Sequence, residues 1–380
     1  MKIVYCLNSI RYLGGIQKIT IIKANALAEI PGNEVYLIVT DNKDGIIQVP
    51  LSSKVNLIDL DVNYFADDWK GRWYTLKGII TKRHIHFKRL KNTLEQINPD
   101  IVISTGLSEK FILPKISGKW KLIRELHSNK NYRFDHAKNL YDKIKAYITN
   151  FYDYNITIKK YDKIIVLTNE DKELNWKESY NISVIPNPST FTCDNVSELT
   201  NKNIISIGRL CPSKNYRSLI TAFCDVVNEY PDWSLHIYGD GEEKQELNNL
   251  ILNLRLEKNV FLEGHTLNIE KELTKASIFA STSLSEGFGL TLIEAMTCGL
   301  PVISYACPCG PKDIISDGVD GYLISVNDEK FLSRKLMHLI QNQQQRKAMG
   351  AAAIIKAKNY TIENIISQWM TLFSSLLEDK

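Results

Sequence analysis

The sequence predicts an α/β protein of two domains, each a doubly wound parallel sheet covered by helices. Three observations carry that expectation. Short apolar runs of strand length alternate with amphipathic runs of helix length along the chain, the pattern of repeated strand-helix-strand crossovers. The alternation breaks at Pro186-Asn187-Pro188 and restarts at Asn203. A length of 380 residues suits two cores better than one.

Composition narrows the class. With 44% hydrophobic and 24% charged residues the chain reads as globular. A net charge of +4 is too small to imply a nucleic-acid partner. Seven Cys, scattered and odd in number, argue against a disulfide framework and for a reducing compartment. Cys307-Pro-Cys309 has no second pair with which to hold a metal. The first apolar run, Met1 to Leu7, is too short for a signal peptide, and no run nears the ~20 apolar residues that span a bilayer. The expected location is cytoplasmic, at most peripheral on the inner face of the cytoplasmic membrane.

In chain order, Ile3 to Leu7 reads as a buried strand. Gly14-Gly15 then opens a helical pattern from Ile19 to Ile30, and paired glycines let a helix N-terminus come close to a phosphate. Strands follow at Val35 to Thr40 and Val55 to Leu60. Lys70 to Lys91 carries eight Lys or Arg and no acid, interleaved with Trp73, Tyr74, Ile79, Ile80, Ile85 and Phe87. Such a segment suits an anionic membrane surface, and it equally suits an amphipathic helix with a solvated face. Pro99 to Thr105 and Lys121 to His127 are further strands, the second ending in a His that is either a core residue or a site residue. Lys163 to Thr168 is another, with Asn169-Glu-Asp as the cap of a following helix. Two prolines stiffen the linker, placed at about 186 to 200. Asn187 within it is a turn residue or a residue of the site.

The second half begins with a strand, Asn203 to Gly208, ending in Arg209 and, five residues on, Lys214. Two cations at the carboxyl edge of a parallel sheet form a clamp for an anion, Arg forking onto two oxygens and Lys acting as a point charge. Surface salt bridges are the competing reading. Trp233 to Tyr238 is the next strand, turning through Gly239-Asp-Gly241, and Val260 to Gly264 another. Ile278 to Ala280 is a short buried strand that breaks into Glu286-Gly-Phe288-Gly289 and resumes as a helix. That helix stops at Gly299-Leu-Pro301, a helix-end signal. Strand, glycine turn and helix N-terminus make an anion site. Glu286 and Glu294 flank it, with at most roughly 12 Å of helical rise between them, which suits a ligand with phosphates in the middle and hydroxyls at both ends. A surface helix with acids near its N-terminus is the plainer alternative. Ile365, Ile366, Trp369, Leu372, Phe373 and Leu376 give the segment from Thr361 to Leu377 helical spacing.

Glu286-Gly-Phe-Gly-Leu-Thr-Leu-Ile-Glu294 resembles the E-x7-E motif of the retaining glycosyltransferases of family 4, whose fold is GT-B. Gly208-Arg209 with Lys214 resembles the G-R-x-x-x-x-K signature of the same family, and Gly14-Gly15, Gly239 and the Val184 to Pro188 stretch extend the resemblance over nearly the whole chain. It implies two Rossmann-like domains facing a cleft. Residues 1–190 would be an acceptor-side domain that includes a C-terminal helix, 361–380, crossing back to it. Residues 191–360 would bind the donor.

The resemblance further implies transfer of a hexosyl group from a nucleotide-diphosphate sugar, a UDP-sugar by family frequency, to a glycan or lipid-linked glycan of cell-surface polysaccharide. Arg209 and Lys214 would hold the diphosphate together with the amides of Phe288, Gly289 and Leu290. Glu294 would take the ribose and Glu286 the sugar, with His127 a cleft residue near the reaction centre and Gly15 and Gly239 lining the donor by backbone approach. Glu286, His127, Arg209 and Lys214 are thus the expected catalytic group. No cofactor and no metal are expected. Asp59-Leu-Asp61 has a D-x-D pattern, but the resemblance is to enzymes that do without a metal. Retention without an obvious enzymatic nucleophile implies front-face transfer assisted by the leaving phosphate. Two other readings stand: another GT-B activity, such as a nucleotide-sugar epimerase, and a non-catalytic nucleotide-sugar-binding subunit of a transferase complex.

Overall fold

Side chains alternate faces along a strand, so a strand apolar at every position is buried on both faces, as parallel sheets require. The first strand shows it: Ile3, Tyr5 and Leu7 enter one core while Val4 and Cys6 enter another. The computed structural model describes the chain except residues 12–13, 43–48, 65–71, 107–108, 129, 131, 136, 138, 177–180 and 379–380, and except the side chains of 72–80, 132 and 135. Among the described residues the strands are β1 (Lys2–Leu7), β2 (Glu34–Val39), β3 (Val55–Asp59), β4 (Ile101–Ser104), β5 (Lys121–Glu125), β6 (Lys163–Val166) and β7 (Ile182–Val184) in one sheet. A second sheet holds β8 (Asn203–Ile207), β9 (Ser234–Tyr238), β10 (Val260–Gly264), β11 (Ile278–Ser281), β12 (Val302–Tyr305) and β13 (Gly321–Ile324).

The first sheet runs in the order β3-β2-β1-β4-β5-β6-β7 and the second β10-β9-β8-β11-β12-β13. Every pairing is parallel. In each sheet the winding reverses beside its first strand, between β1 and β4 and between β8 and β11. These are switch points, beyond whose carboxyl ends doubly wound proteins bind their ligands. The expectation of two Rossmann-like α/β domains of GT-B type is met.

The chain divides into two compact units. One comprises Met1–Val166, Asn175–Ile185 and Ile362–Lys380, the other Leu167–Leu174 and Pro186–Thr361. The last helix, Ile362–Glu378, therefore belongs to the first unit, where Ile365, Ile366, Trp369 and Phe373 join Leu27, Leu37 and Ile101 in one core. The segment 167–174 goes the other way because Asp313 holds it. That carboxylate accepts the backbone N–H groups of Asn169 at 2.8 Å and Glu170 at 3.1 Å, at the start of the helix Asn169–Asn175. Thr168, rather than the residues after it, supplies the side-chain cap: its Oγ1 accepts the Asp171 N–H at 3.1 Å.

Several local expectations shift. The strand that leads to His127 ends at Glu125, so His127 stands in the loop beyond it. Val184 belongs to an edge strand, and Gly321, which reads from sequence as part of a turn with Asp317-Gly-Val-Asp, starts a strand. Of the basic segment Lys70 to Lys91, Lys70 and Gly71 lie outside the described residues, as do the side chains up to Ile80. The helix Arg72–Ile97 carries the remainder. Asp59 Oδ1 accepts the Asp61 N–H at 2.8 Å, closing a turn.

Candidate functional site

The loops after β8 and β11 meet at the switch point of the second sheet. Lys214 sits at the end of a short turn, Pro212–Lys214, and Asn215, at φ +50°, redirects the chain into the helix Tyr216–Glu229. The Thr282 hydroxyl donates to the Lys214 and Asn215 carbonyls at 3.1 and 2.9 Å, and the Leu284 N–H donates to Ser213 O at 2.8 Å. Two loops far apart in sequence are thereby fastened into one wall.

Two donors converge on Glu286 in that wall. Lys214 Nζ lies 2.5 Å from Glu286 Oε1, and the Ser283 hydroxyl donates to the same oxygen at 2.6 Å. Lys214 and Glu286 keep 23% and 14% of their side-chain surface exposed, so the pair faces an opening and a ligand could reach it. Arg209 is exposed on the same loop as Lys214. Tyr216 is buried beneath, its phenol pushed up by burial and further by the Glu286 charge.

The turn from Glu286 to the helix Leu290–Thr297 depends on glycine. Gly289 is its N-cap at φ +96°, a left-handed conformation, and no side chain caps the helix. Its first turn carries no acid, which leaves backbone amides and the positive end of the dipole as the features offered to an anion. Phe288 is buried and meets Tyr360 edge-on at 6.0 Å, so its side chain is committed to the core and only its backbone bears on the site. Gly310 packs behind: a Cβ there would fall 2.3 Å from Phe288 O.

Glu294 is buried, one turn along that helix. Its Oε1 accepts the Thr190 hydroxyl at 2.5 Å, and the neighbouring Ser189 lies 3.3 Å from Thr297 Oγ1. The stretch after Pro188 is thus packed along the helix that carries Glu294. Asn187 is buried there as well, and its Oδ1 has no hydrogen-bond partner.

Gly239 is fixed by close approach. A Cβ at this position would lie 1.9 Å from Gly208 O, and φ is +147°. The glycine turn after β9 therefore presses on the Gly208-Arg209 turn after β8, and the Gly239 N–H donates to Gly264 O at 2.7 Å.

The first unit holds the remaining sequence candidates. Gly14 is the N-cap of the helix Gly15–Glu29, which no side chain caps. A Cβ on Gly15 would meet nothing within 4 Å, so packing does not demand glycine there. His127 Nε2 lies 3.5 Å from Glu125 Oε1 and is buried without a hydrogen-bond partner. Glu125 is also paired with Lys23, and both are fully buried. Burial pushes the Glu125 carboxyl up, but Lys23 and His127 more than reverse this and hold it at about 2 against a usual 4.5. Lys23 in turn lies 4.8 Å from the Trp369 ring centre.

The structure therefore brings Arg209, Lys214, Gly239, Glu286, Phe288, Gly289, Leu290 and Glu294 together in one unit, and sets Gly15 and His127 in the other. Sequence reading missed Ser283, Thr282 and Thr190. Thr282 and Thr190 are hydroxyl residues whose partners are distant in the chain, Ser283 bonds Glu286 only three residues on, and no local pattern announces any of these roles.

Comparison with known proteins agrees with this geometry. Residues 193–356 match the family model for glycosyl transferases group 1. An uncharacterised glycosyltransferase of Methanocaldococcus jannaschii is 30% identical over 354 residues, covering 77% of this chain and 84% of that one. Another, of Haemophilus influenzae, is 28% identical over 97% of this chain and 98% of its own. The poly(ribitol-phosphate) alpha-N-acetylglucosaminyltransferase of Staphylococcus aureus is 31% identical over 66% of this chain, which spans 50% of that relative's length. Among solved structures, TarM superimposes with a TM-score of 0.79 at 19% identity over 98% of both chains. Anabaena HepE, in complex with UDP and glucose, gives 0.74 at 18% over 99% and 100%.

Proposed function

The chain belongs to the glycosyl transferases of group 1, and we propose that it moves a hexosyl group from a UDP-sugar to a glycan or lipid-linked glycan acceptor of cell-surface polysaccharide. Transfer proceeds with retention at the anomeric carbon and without a metal. One observation carries the reading. A Lys and a Glu, 2.5 Å apart, sit beside an uncapped helix N-terminus at the switch point of a parallel sheet. That arrangement offers positive charge to a diphosphate and acceptors to the hydroxyls on either side of it.

In this reading the leaving diphosphate gains charge as the glycosidic bond breaks. Lys214, Arg209 and the amides of Phe288 to Leu290 stabilise that charge, preorganised by the loop hydrogen bonds that fasten the wall. Glu286, with Lys214 and Ser283 already on one oxygen, accepts hydroxyls of the transferred sugar. Glu294 accepts those of the ribose beside the Thr190 hydroxyl. His127 is assigned a contact to the transferred sugar, and the leaving phosphate assists attack on the same face. A relative named for N-acetylglucosaminyl transfer to poly(ribitol-phosphate) and a neighbour in complex with UDP and glucose support this donor and acceptor class. The eight cations of Lys70 to Lys91 support a place on the inner face of the cytoplasmic membrane.

The test is a thermal-shift and hydrolysis screen of the purified chain against UDP- and GDP-sugars, with and without EDTA. Stabilisation by one UDP-sugar, slow nucleotide release and indifference to EDTA are expected. Binding without release in the presence of acceptors would make the protein a binding subunit instead. Loss of release with EDTA would remove the metal-free step.

A further inference from the structure

The helix Leu140–Tyr152 of the first unit is mounted with its apolar side outward. Leu140, Tyr141, Ile144, Tyr147, Ile148 and Phe151 are all exposed, Leu140 by 74% and Phe151 by 54%. At 3.6 residues per turn these six fall within an arc of about 120°. Only Ala146 and Asn150 of this helix are buried. Tyr152, at the end, leans on Phe111 with ring centres 5.8 Å apart.

The inward side is fastened by polar groups. Asn150 accepts a hydrogen bond from Arg133, and its amide donates to Lys130 O at 3.2 Å. Asp153, directly after the helix and fully buried, takes Lys110 at 2.7 Å, Arg133 at 2.9 Å and Arg124. Burial pushes the Asp153 carboxyl up, but Arg124 and Lys110 hold it well below the usual range. A helix in water ordinarily turns its apolar stripe to the core and its charges to solvent. This one is inverted, and a buried charge cluster with its desolvation cost keeps it so.

We propose that this stripe is a docking surface for an anionic phospholipid bilayer. Lys143 and Lys145 are exposed and fall on opposite margins of the stripe, about 40° or less outside it. There their stems lie along apolar surface while their ammonium groups reach phosphate headgroups. Lys159 and Lys160, exposed just beyond the helix, add to the same charge. The exposed Tyr141 and Tyr147, apolar rings with a polar hydroxyl, suit the level of the headgroups. With 13 residues the helix is too short to span a bilayer of ~20 residues, so it lies along the interface. A second copy of the chain is a poorer occupant. Six side chains fall far short of the roughly 20–30 residues a side of a stable interface, whereas insertion in a bilayer needs no matching surface. The inference uses neither Lys70 to Lys91 nor the donor site, so it stands or falls apart from the transferase reading.

The experiment is co-sedimentation of the full chain with phosphatidylcholine vesicles, with and without phosphatidylglycerol to supply the anionic surface. Binding to the anionic vesicles, weakened by salt, is expected. I144S/I148S/F151S should reduce it at least tenfold, and K143E/K145E should reduce the anionic preference. Because all five side chains are exposed, donor hydrolysis and the melting temperature should stay at wild-type values, which separates this result from failure of the donor site. Absence of vesicle binding, or binding unchanged by the triple variant, overturns the proposal. So does a dimer in light scattering that the triple variant dissolves, because the stripe would then be covered by a second copy.

Discussion

Lys214 Nζ lies 2.5 Å from Glu286 Oε1, and the contact joins the loop that follows β8 to the loop that follows β11. Both partners keep some exposure, so the pair contributes little to stability, about 1 kcal/mol at most. Its worth lies in holding a cation and an acceptor where a diphosphate sugar would bind. Glu286→Gln preserves shape and the Ser283 hydrogen bond but removes the charge. Donor turnover should fall about 100-fold or more, with the melting temperature nearly unchanged. Lys214→Met should likewise cut turnover. Single-turnover rates beside calorimetric melts check this; a large melting shift with normal turnover would make the pair structural.

Gly239 and Gly15 make opposite predictions. A Cβ on Gly239 would be driven to 1.9 Å from a backbone oxygen, which cannot rotate away as a side chain can. Gly239→Ala should destabilise the protein by about 2–4 kcal/mol, read by urea unfolding. Gly15→Ala meets open space at the start of a helix and should stabilise by up to ~1 kcal/mol. If Gly15→Ala nevertheless weakens donor or acceptor binding, the loss reports a ligand that needs the bare backbone.

The buried Lys23–Glu125 pair predicts a different pattern. Removing one charge strands the other, at a cost of about 3–5 kcal/mol. Lys23→Met and Glu125→Leu should each destabilise on that scale, while the double variant recovers most of the loss. A double variant no more stable than the singles would mean that packing, including Lys23 over Trp369, outweighs the charges.

How far the sequence disclosed this arrangement depends on how local each signal was. The central strands were legible because burial on both faces makes them short apolar runs, and Gly299 at φ +78° ends its helix where Gly299-Leu-Pro301 said it would. Lys214 and Glu286 were legible from spacing relative to two strand ends. Ser283 was not, since a Ser in such a stretch has no periodic or charge signal. The partner of Glu294 was hidden for a related reason: Thr190 is 104 residues away. Gly321 read as a turn because Asp317-Gly-Val-Asp dominates its surroundings, yet the strand needs glycine there, where a Cβ would be 2.2 Å from Val302 O. The outward-facing stripe of Leu140–Tyr152 had the spacing of any amphipathic helix, and only the buried Asn150 and Asp153 show which way it turns.

Acid should destabilise the first unit in two separate windows. His86 is buried, 2.9 Å from the Tyr64 hydroxyl, and burial lowers its imidazole to about 4 from a usual 6.5. The unfolded chain therefore binds the proton first. Stability falls as pH drops below about 6.5, by up to ~1.4 kcal/mol per pH unit, and levels off near 4. Glu125 acts lower. Its folded carboxyl stands at about 2 against 4.5, so its contribution is intact above about 4.5 and is lost as pH falls through about 2. Urea unfolding from pH 7.5 to 3 should show the first decline in the wild type, and His86→Gln should flatten it between 6.5 and 4 without touching the decline below 4.5. An unchanged slope in that variant would assign the first window to another group.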